Sequence, residues 1–339
     1  MPTFSRRRSF AFASVIVLAL LGTAECALRV IGISPPVEPR IILRLMDTDI
    51  TLPFIRADED VFWSPQPGFG GEFMGKRVTI NSLGLRGPEV APSRTAGRRR
   101  VACFGDSITF GYGVGDDETY PHFLGAELAP YKVEVVNAGV TGFTSHQVVG
   151  FLRRVAPQVQ PDVATFCIGW NDGNRRPVDD REYARRLRMV GSLEGTLDHL
   201  YLYRSMKTAY LRAAALKGID TEQGAERTGF RVTLPQYREN LETIVRECRQ
   251  RGIRPVFVAL PRRKRTGEPT PDAPYAAALV QTGRDLGVAV LDTGDLGLGT
   301  RLDQNEPYFI DALHLSPEGN RLMAALLARQ MLASDLLYR

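Results

Sequence analysis

From residue 100 onward, short apolar runs alternate with longer stretches whose apolar positions recur every three or four residues. The runs cover residues 101–104, 133–136, 163–168, 256–260 and 288–291. A continuous apolar run of that length suits a strand buried on both faces, and the 3.6-residue period between runs suits helices that cover them. Helices are expected over 145–156, 235–251, 273–286 and 317–332, the last opened by Ser316-Pro317 as N-cap and first turn. The alternation predicts an α/β fold: three layers, with a doubly wound parallel sheet of five strands.

Three segments break the rhythm. Near the N-terminus Arg6, Arg7 and Arg8 precede an apolar stretch over residues 9–28, close to the ~20 residues that span a bilayer. A signal peptide and a signal anchor begin alike; the reading favours an uncleaved anchor. Its basic flank would stay in the cytoplasm and place the rest of the chain outside, at the inner (plasma) membrane. Cleavage would instead give a secreted or periplasmic protein. Residues 34–97 are rich in Pro and Gly and hold the extended run 77–80 before a turn, which reads as a small β preamble. Residues 173–234 exceed an ordinary connection, and 183–217 mix charged and apolar positions as one or two helices would, with a loop at 220–228. Segment 197–203 suits the lining of an acyl or sugar pocket or an ordinary helix packed on the sheet. The expected organisation is therefore 1–33 leader, 34–97 lead-in, and 98–339 main domain with an insertion at about 173–234.

A chain of 339 residues with 44% hydrophobic content has ample material for one core. Its net charge of +5 rests almost wholly on arginine, since only Lys76, Lys132, Lys207, Lys217 and Lys264 are lysines. The basic clusters at 98–100 and 262–265 lack the interleaved aromatics of a nucleic-acid groove, so no nucleic-acid partner is expected. Cys103 and Cys167 fall in predicted strands, level with each other, and Cys248 falls in a helix; all three are expected as free buried thiols. No cysteine–histidine spacing suits a metal, and neither metal nor cofactor is expected. Gly111-Tyr-Gly-Val-Gly115 follows a strand but misses the Gly-x-Gly-x-x-Gly spacing of a dinucleotide site.

Chemistry concentrates where the apolar runs end. Val101-Ala-Cys-Phe-Gly-Asp-Ser107 presents a hydroxyl at a strand-to-loop handover, and Asp311-Ala-Leu-His314 offers a carboxylate and an imidazole three residues apart. A serine becomes a nucleophile when an imidazole takes its proton and a carboxylate orients that imidazole. By itself Ser107 reads equally well as a helix N-cap. Two further blocks, Asn137-Ala-Gly139 and Gly169-Trp-Asn171-Asp172, also follow strands. The Ser107 and Gly139 amides and the Asn171 side chain can supply donors for an oxyanion. Asp106, Trp170 and His146 are possible pocket residues, with His146 also placed to sit in a helix first turn. Asp172 suits a loop brace.

In the order and setting of these blocks the chain resembles the GDSL or SGNH hydrolase family over residues 98–334, with Ser107, Gly139, Asn171 and His314 as the name-giving residues. Isoleucine replaces leucine after Gly-Asp-Ser. Asn81-Ser-Leu-Gly-Leu-Arg86-Gly-Pro88 is similar to the lead-in of membrane-anchored members. The resemblance implies a flavodoxin-like SGNH fold and a serine esterase acting through an acyl-enzyme, with acyl or acetyl esters of envelope glycans or lipids as substrates. An O-acyltransferase using the same site, and a non-catalytic glycan-binding or scaffold protein, remain open alternatives.

Overall fold

The computed structural model describes residues 6–32, 52–91, 97–185, 229–259, 273–292, 308–311 and 313–337, together with 188, 197, 199–206 and 209. The chain divides into two compact units, one of residues 1–41 and 185–226, the other of 42–184 and 227–339.

In the first unit, helix α1 (Arg6–Ile31) contains a 20-residue stretch, Phe12–Ile31, long and apolar enough to cross a membrane. Two charged residues, Glu25 and Arg29, interrupt its C-terminal end, and both are engaged. The Glu25 carboxylate accepts hydrogen bonds from Arg29 Nε at 2.7 Å and from the amides of Tyr201 at 3.0 Å and Leu202 at 2.8 Å. Arg29 Nη2 donates to the His199 carbonyl at 2.7 Å. Segment 201–206 is helical, with the Arg204 guanidinium over the Tyr201 ring. The expected loop at 220–228 lies outside the described residues.

The second unit opens with two hairpins: β1 (Ile55–Asp58) with β2 (Phe62–Pro65), and β3 (Gly70–Phe73) with β4 (Lys76–Thr79). The main sheet follows. Its strands are β5 (Arg99–Gly105), β6 (Val133–Gly139), β7 (Val163–Cys167), β10 (Arg254–Ala259) and β11 (Ala289–Asp292). All pair in parallel in the order β11-β10-β7-β5-β6. The chain starts at β5, steps to one neighbour and returns past it, so the crevice between β5 and β7 is the topological switch point at which such sheets bind ligands. Between β7 and β10 a short antiparallel pair, β8 (Arg175–Arg176) and β9 (Gly229–Phe230), closes the base of the insertion.

Helices cover both faces as expected. The four-residue α2 (Ser107–Phe110) follows β5 directly. On one face α3 (Tyr120–Leu128) packs on α7 (Pro317–Ala333). On the other, α4 (Ser145–Val159) packs on α5 (Leu234–Gln250), which packs on α6 (Ala273–Asp285). The strand reading extends too little for β6: Asn137 and Gly139 lie within the strand, because β5 and β6 stay paired as far as Gly105 and Gly139. Helix α3 has no counterpart among the expected helices. Its run Tyr120-Pro-His-Phe-Leu-Gly lacks a clear amphipathic stripe, and its buried side, Tyr120, Leu124 and Leu128, is set by packing against α7.

Cys103, Cys167 and Cys248 are free and buried. The register pairs Cys103 with Thr165 and Gly105 with Cys167, so the two strand cysteines are offset by two positions rather than level. Burial pushes the Cys103 thiol up to about 12, which leaves it inert at neutral pH.

Candidate active site

Strand β5 ends at Gly105, where a side chain would run into the Cys167 carbonyl and Thr109, so the chain can turn there against β7. Asp106 then caps α2 by accepting the Ile108 amide at 3.0 Å, leaving Ser107 as the first helical residue at the carboxyl edge of the sheet. Asp106 is fully buried and does not line the pocket; its role is the cap, and Ser107, one place on, is the residue presented.

At the far end of the chain, Phe309 and Leu315 form an antiparallel bridge, with Ile310 N donating to the His314 carbonyl at 2.9 Å and Ser316 N to Tyr308 at 2.9 Å. Asn320 on α7 fastens this turn. Its side chain donates to the Leu315 and Ser316 carbonyls and accepts the Tyr120 amide. The turn delivers His314 to Ser107, with Nε2 2.8 Å from Ser107 Oγ and Nδ1 2.7 Å from Asp311 Oδ2. With the Nδ1 proton donated to Asp311, Nε2 is left to accept the serine proton. Burial works to raise the Asp311 pKa, but hydrogen bonds from the His314 ring and from the His314 and Leu313 amides outweigh it and hold the carboxyl at about 2. Tyr112 stacks on the outer face of the imidazole, centroids 4.4 Å apart, which restricts the ring's rotation.

These groups open into a cavity of about 290 Å³ lined by Leu52, Ser107, Tyr112, Thr141, Gly142, Trp170, Asn171, Asn174, Leu313 and His314. A larger cavity of about 490 Å³ lies around Arg99, Arg254 and Ala289 at the opposite end of the strands; it contains no nucleophile–base pair, so size is a poor guide here.

Trp170 and Asn171 both line the smaller cavity. The Asn171 Nδ2 group donates to the Phe143 carbonyl at 3.0 Å and makes a long contact of 3.4 Å to Asp106, so one of its hydrogens is only weakly engaged. His146 is not part of the cavity. It lies in the first turn of α4 and stacks on Phe62 at 6.0 Å.

Gly139 requires a correction. Its amide donates to Asn137 Oδ1 at 3.0 Å, and a side chain there would collide with the backbone of Thr109 and Phe110, so this glycine is needed for packing under α2. It does not line the cavity. Gly142, three residues on, does. Its φ of 79° lies in the left-handed region that glycine occupies without strain. Among the described residues its amide has no protein acceptor, and the same holds for the Ser107 amide. Val140-Thr-Gly142 was the available signal, a glycine in the turn after a strand rather than at its end. Tyr112 and Leu52 were also missed; Tyr112 sits in the glycine run whose spacing fitted no phosphate loop.

Asp172 is a brace, accepting the Ser145 amide at 3.0 Å and its hydroxyl. Burial is the main force on its carboxyl and pushes it up to about 7 against the Ser145 hydrogen bonds.

Residues 103–322 match the model of the GDSL-like Lipase/Acylhydrolase family. No curated protein matches the chain. Among solved structures, a lipase/acylhydrolase from Enterococcus faecalis is 20% identical over 70% of this chain and 96% of its own, with a TM-score of 0.44. The psychrotrophic esterase EstA from Pseudoalteromonas sp. is 14% identical over 69% and 97%, with a TM-score of 0.45. A catalytic mutant of the acetylxylan esterase Axe2 from Geobacillus stearothermophilus is 17% identical over 71% and 96%, with a TM-score of 0.44.

Proposed function

Because the chain belongs to the GDSL-like lipase/acylhydrolase family and is thereby an ester hydrolase, we propose that it works through a Ser107–His314–Asp311 triad and an acyl-enzyme on Ser107. The continuous path Asp311–His314–Ser107, with contacts of 2.7 and 2.8 Å, carries this reading. Ser107 Oγ attacks the ester carbonyl while His314 takes its proton. The imidazolium then protonates the leaving alcohol, and a water activated by the same nitrogen releases the acid. Asp311 keeps the tautomer and offsets the positive charge on His314. The Ser107 amide, the Gly142 amide and the Asn171 side chain receive the oxyanion, in place of the set with Gly139.

The modest volume, walled by Leu52, Tyr112 and Trp170, suits a short acyl group, and acetyl esters of envelope glycans fit it better than long-chain lipids. For location, α1 as an uncleaved anchor is supported by Glu25 and Arg29. Both are tied to residues 199–202, and these contacts would be lost if the leader were removed. The arginines at 6–8 then keep the N-terminus cytoplasmic and the catalytic unit outside.

The test pairs fluorophosphonate labelling, with the modified residue located by mass spectrometry, and turnover of nitrophenyl esters of rising acyl length. Ser107 is the expected site, and acetyl the preferred chain. Ser107→Ala and His314→Ala each remove nearly all turnover, and Asn171→Ala costs about a hundredfold in kcat. Undiminished turnover by Ser107→Ala would falsify the mechanism.

A further inference from the structure

Three successive carbonyls of the turn after β6 are each held by a buried side-chain donor from a different part of the chain. Trp63 Nε1 donates to Thr141 O at 2.9 Å, Arg231 Nη1 to Gly142 O at 2.8 Å, and Asn171 Nδ2 to Phe143 O at 3.0 Å. Arg231 is in turn held by Asp180 and Gln147, and its guanidinium lies over the Trp63 ring, 5.3 Å from the centroid. Trp63 itself is fully buried and meets Phe143 edge to face.

The Thr141 carbonyl and the Gly142 amide belong to one peptide unit. The unit is trans, so its N–H and C=O point in opposite directions. With the oxygen held by Trp63, the hydrogen points the other way, and both residues of the unit, Thr141 and Gly142, line the cavity. Donation to a peptide oxygen also polarises the unit and makes its N–H a stronger donor, most effectively in a low-dielectric site.

We propose that Trp63, a residue of the lead-in hairpin, is a positioning residue for ester hydrolysis: its indole N–H fixes and polarises the Thr141–Gly142 peptide so that the Gly142 amide meets the developing oxyanion. The proposal rests on the reading of Gly142 as an oxyanion donor. It gives the lead-in a part in the chemistry that neither its composition nor its distance from Ser107 in sequence suggests. A group that acts on the oxyanion contributes only as charge develops, so its loss appears in kcat and not in KM.

Trp63→Phe in the full-length chain keeps an aromatic ring and removes the N–H. The expected result is a fall of about tenfold in kcat, smaller than loss of a direct donor, with KM within about twofold of wild type. The rate of fluorophosphonate labelling of Ser107 falls by the same factor, and the melting temperature stays within a few degrees. Wild-type kcat in Trp63→Phe beside a hundredfold loss in Asn171→Ala would overturn the role of Trp63 and leave the ester-hydrolase mechanism standing. A loss confined to KM and melting temperature would overturn it equally, as plain packing. Undiminished turnover by Ser107→Ala removes both. Should Trp63→Phe fail to fold, the wild-type protein decides. It has two tryptophans, and the indole resonance of Trp63 is identified by its persistence in Trp170→Phe. Phosphonylation of Ser107 should move that resonance downfield as the shared peptide polarises; an unmoved resonance overturns the proposal.

Discussion

Asp172 ionises in a setting that opposes it. The side chain has no exposure, and Asp180 adds repulsion that Arg231 partly offsets, so the folded-state value near 7 stands well above the ordinary carboxylate range. Between about pH 4 and pH 7 the folded protein then holds a proton that the unfolded chain has released. Stability from this group is full below the unfolded value and is lost as pH rises through the folded one. Asp172→Asn, which keeps the shape and one acceptor for Ser145, should flatten the dependence of melting temperature on pH across that window. An unchanged slope in thermal melts from pH 4 to 8 would show that another group sets it. Asp311 shows the opposite sign: its value near 2 keeps it ionised beside His314 through the whole working range.

At the scale of elements, the loop between α2 and α3 owes its shape to one arginine from the lead-in. Arg86 is 4% exposed and donates to the carbonyls of Phe110, Gly111 and Val114 and to Asp116, with its guanidinium over the Phe110 ring. This loop carries Tyr112 and so backs His314. Removing a buried charge that holds several acceptors costs on the order of 3–5 kcal/mol, because the partners stay behind unsatisfied. Arg86→Met should therefore lower the melting temperature by about 10 °C, at roughly 2–4 °C per kcal/mol for a domain of this size. It should also lower kcat as the Tyr112 stack loosens, both effects being readable from melts and nitrophenyl acetate turnover. The cluster Asn81-Ser-Leu-Gly-Leu-Arg86 was conspicuous in sequence; that its arginine points into the loop beside Ser107 was not, since the contacts span 24 to 30 residues.

Over the whole molecule, the lead-in behaves as part of the catalytic unit. Phe54, Trp63, Val78, Ile80 and Leu85 are buried within it, each worth about 1.5–3 kcal/mol by removal from water, and Arg86 also bridges to Asn137 of β6. A chain begun at residue 98, the boundary that the change of pattern suggests, should lack a cooperative thermal transition and aggregate, whereas one begun near residue 42 should melt cooperatively; calorimetry of the two distinguishes the cases. The sequence by itself determined the parallel sheet and its main helices, because burial on two faces or along one stripe writes a local period into the chain. It also singled out Ser107, Asp311, His314 and Asn171 as candidates by residue type and setting, and the fold brings these four to one cavity or its edge. Only the tertiary structure decided that Gly142 rather than Gly139 lines the cavity, that Tyr112 stacks on the imidazole, and that Trp63 reaches Thr141 across 78 residues. Those choices depend on the direction of single peptide groups and on contacts between distant segments, and periodicity encodes which side of an element is buried but not what it will meet there.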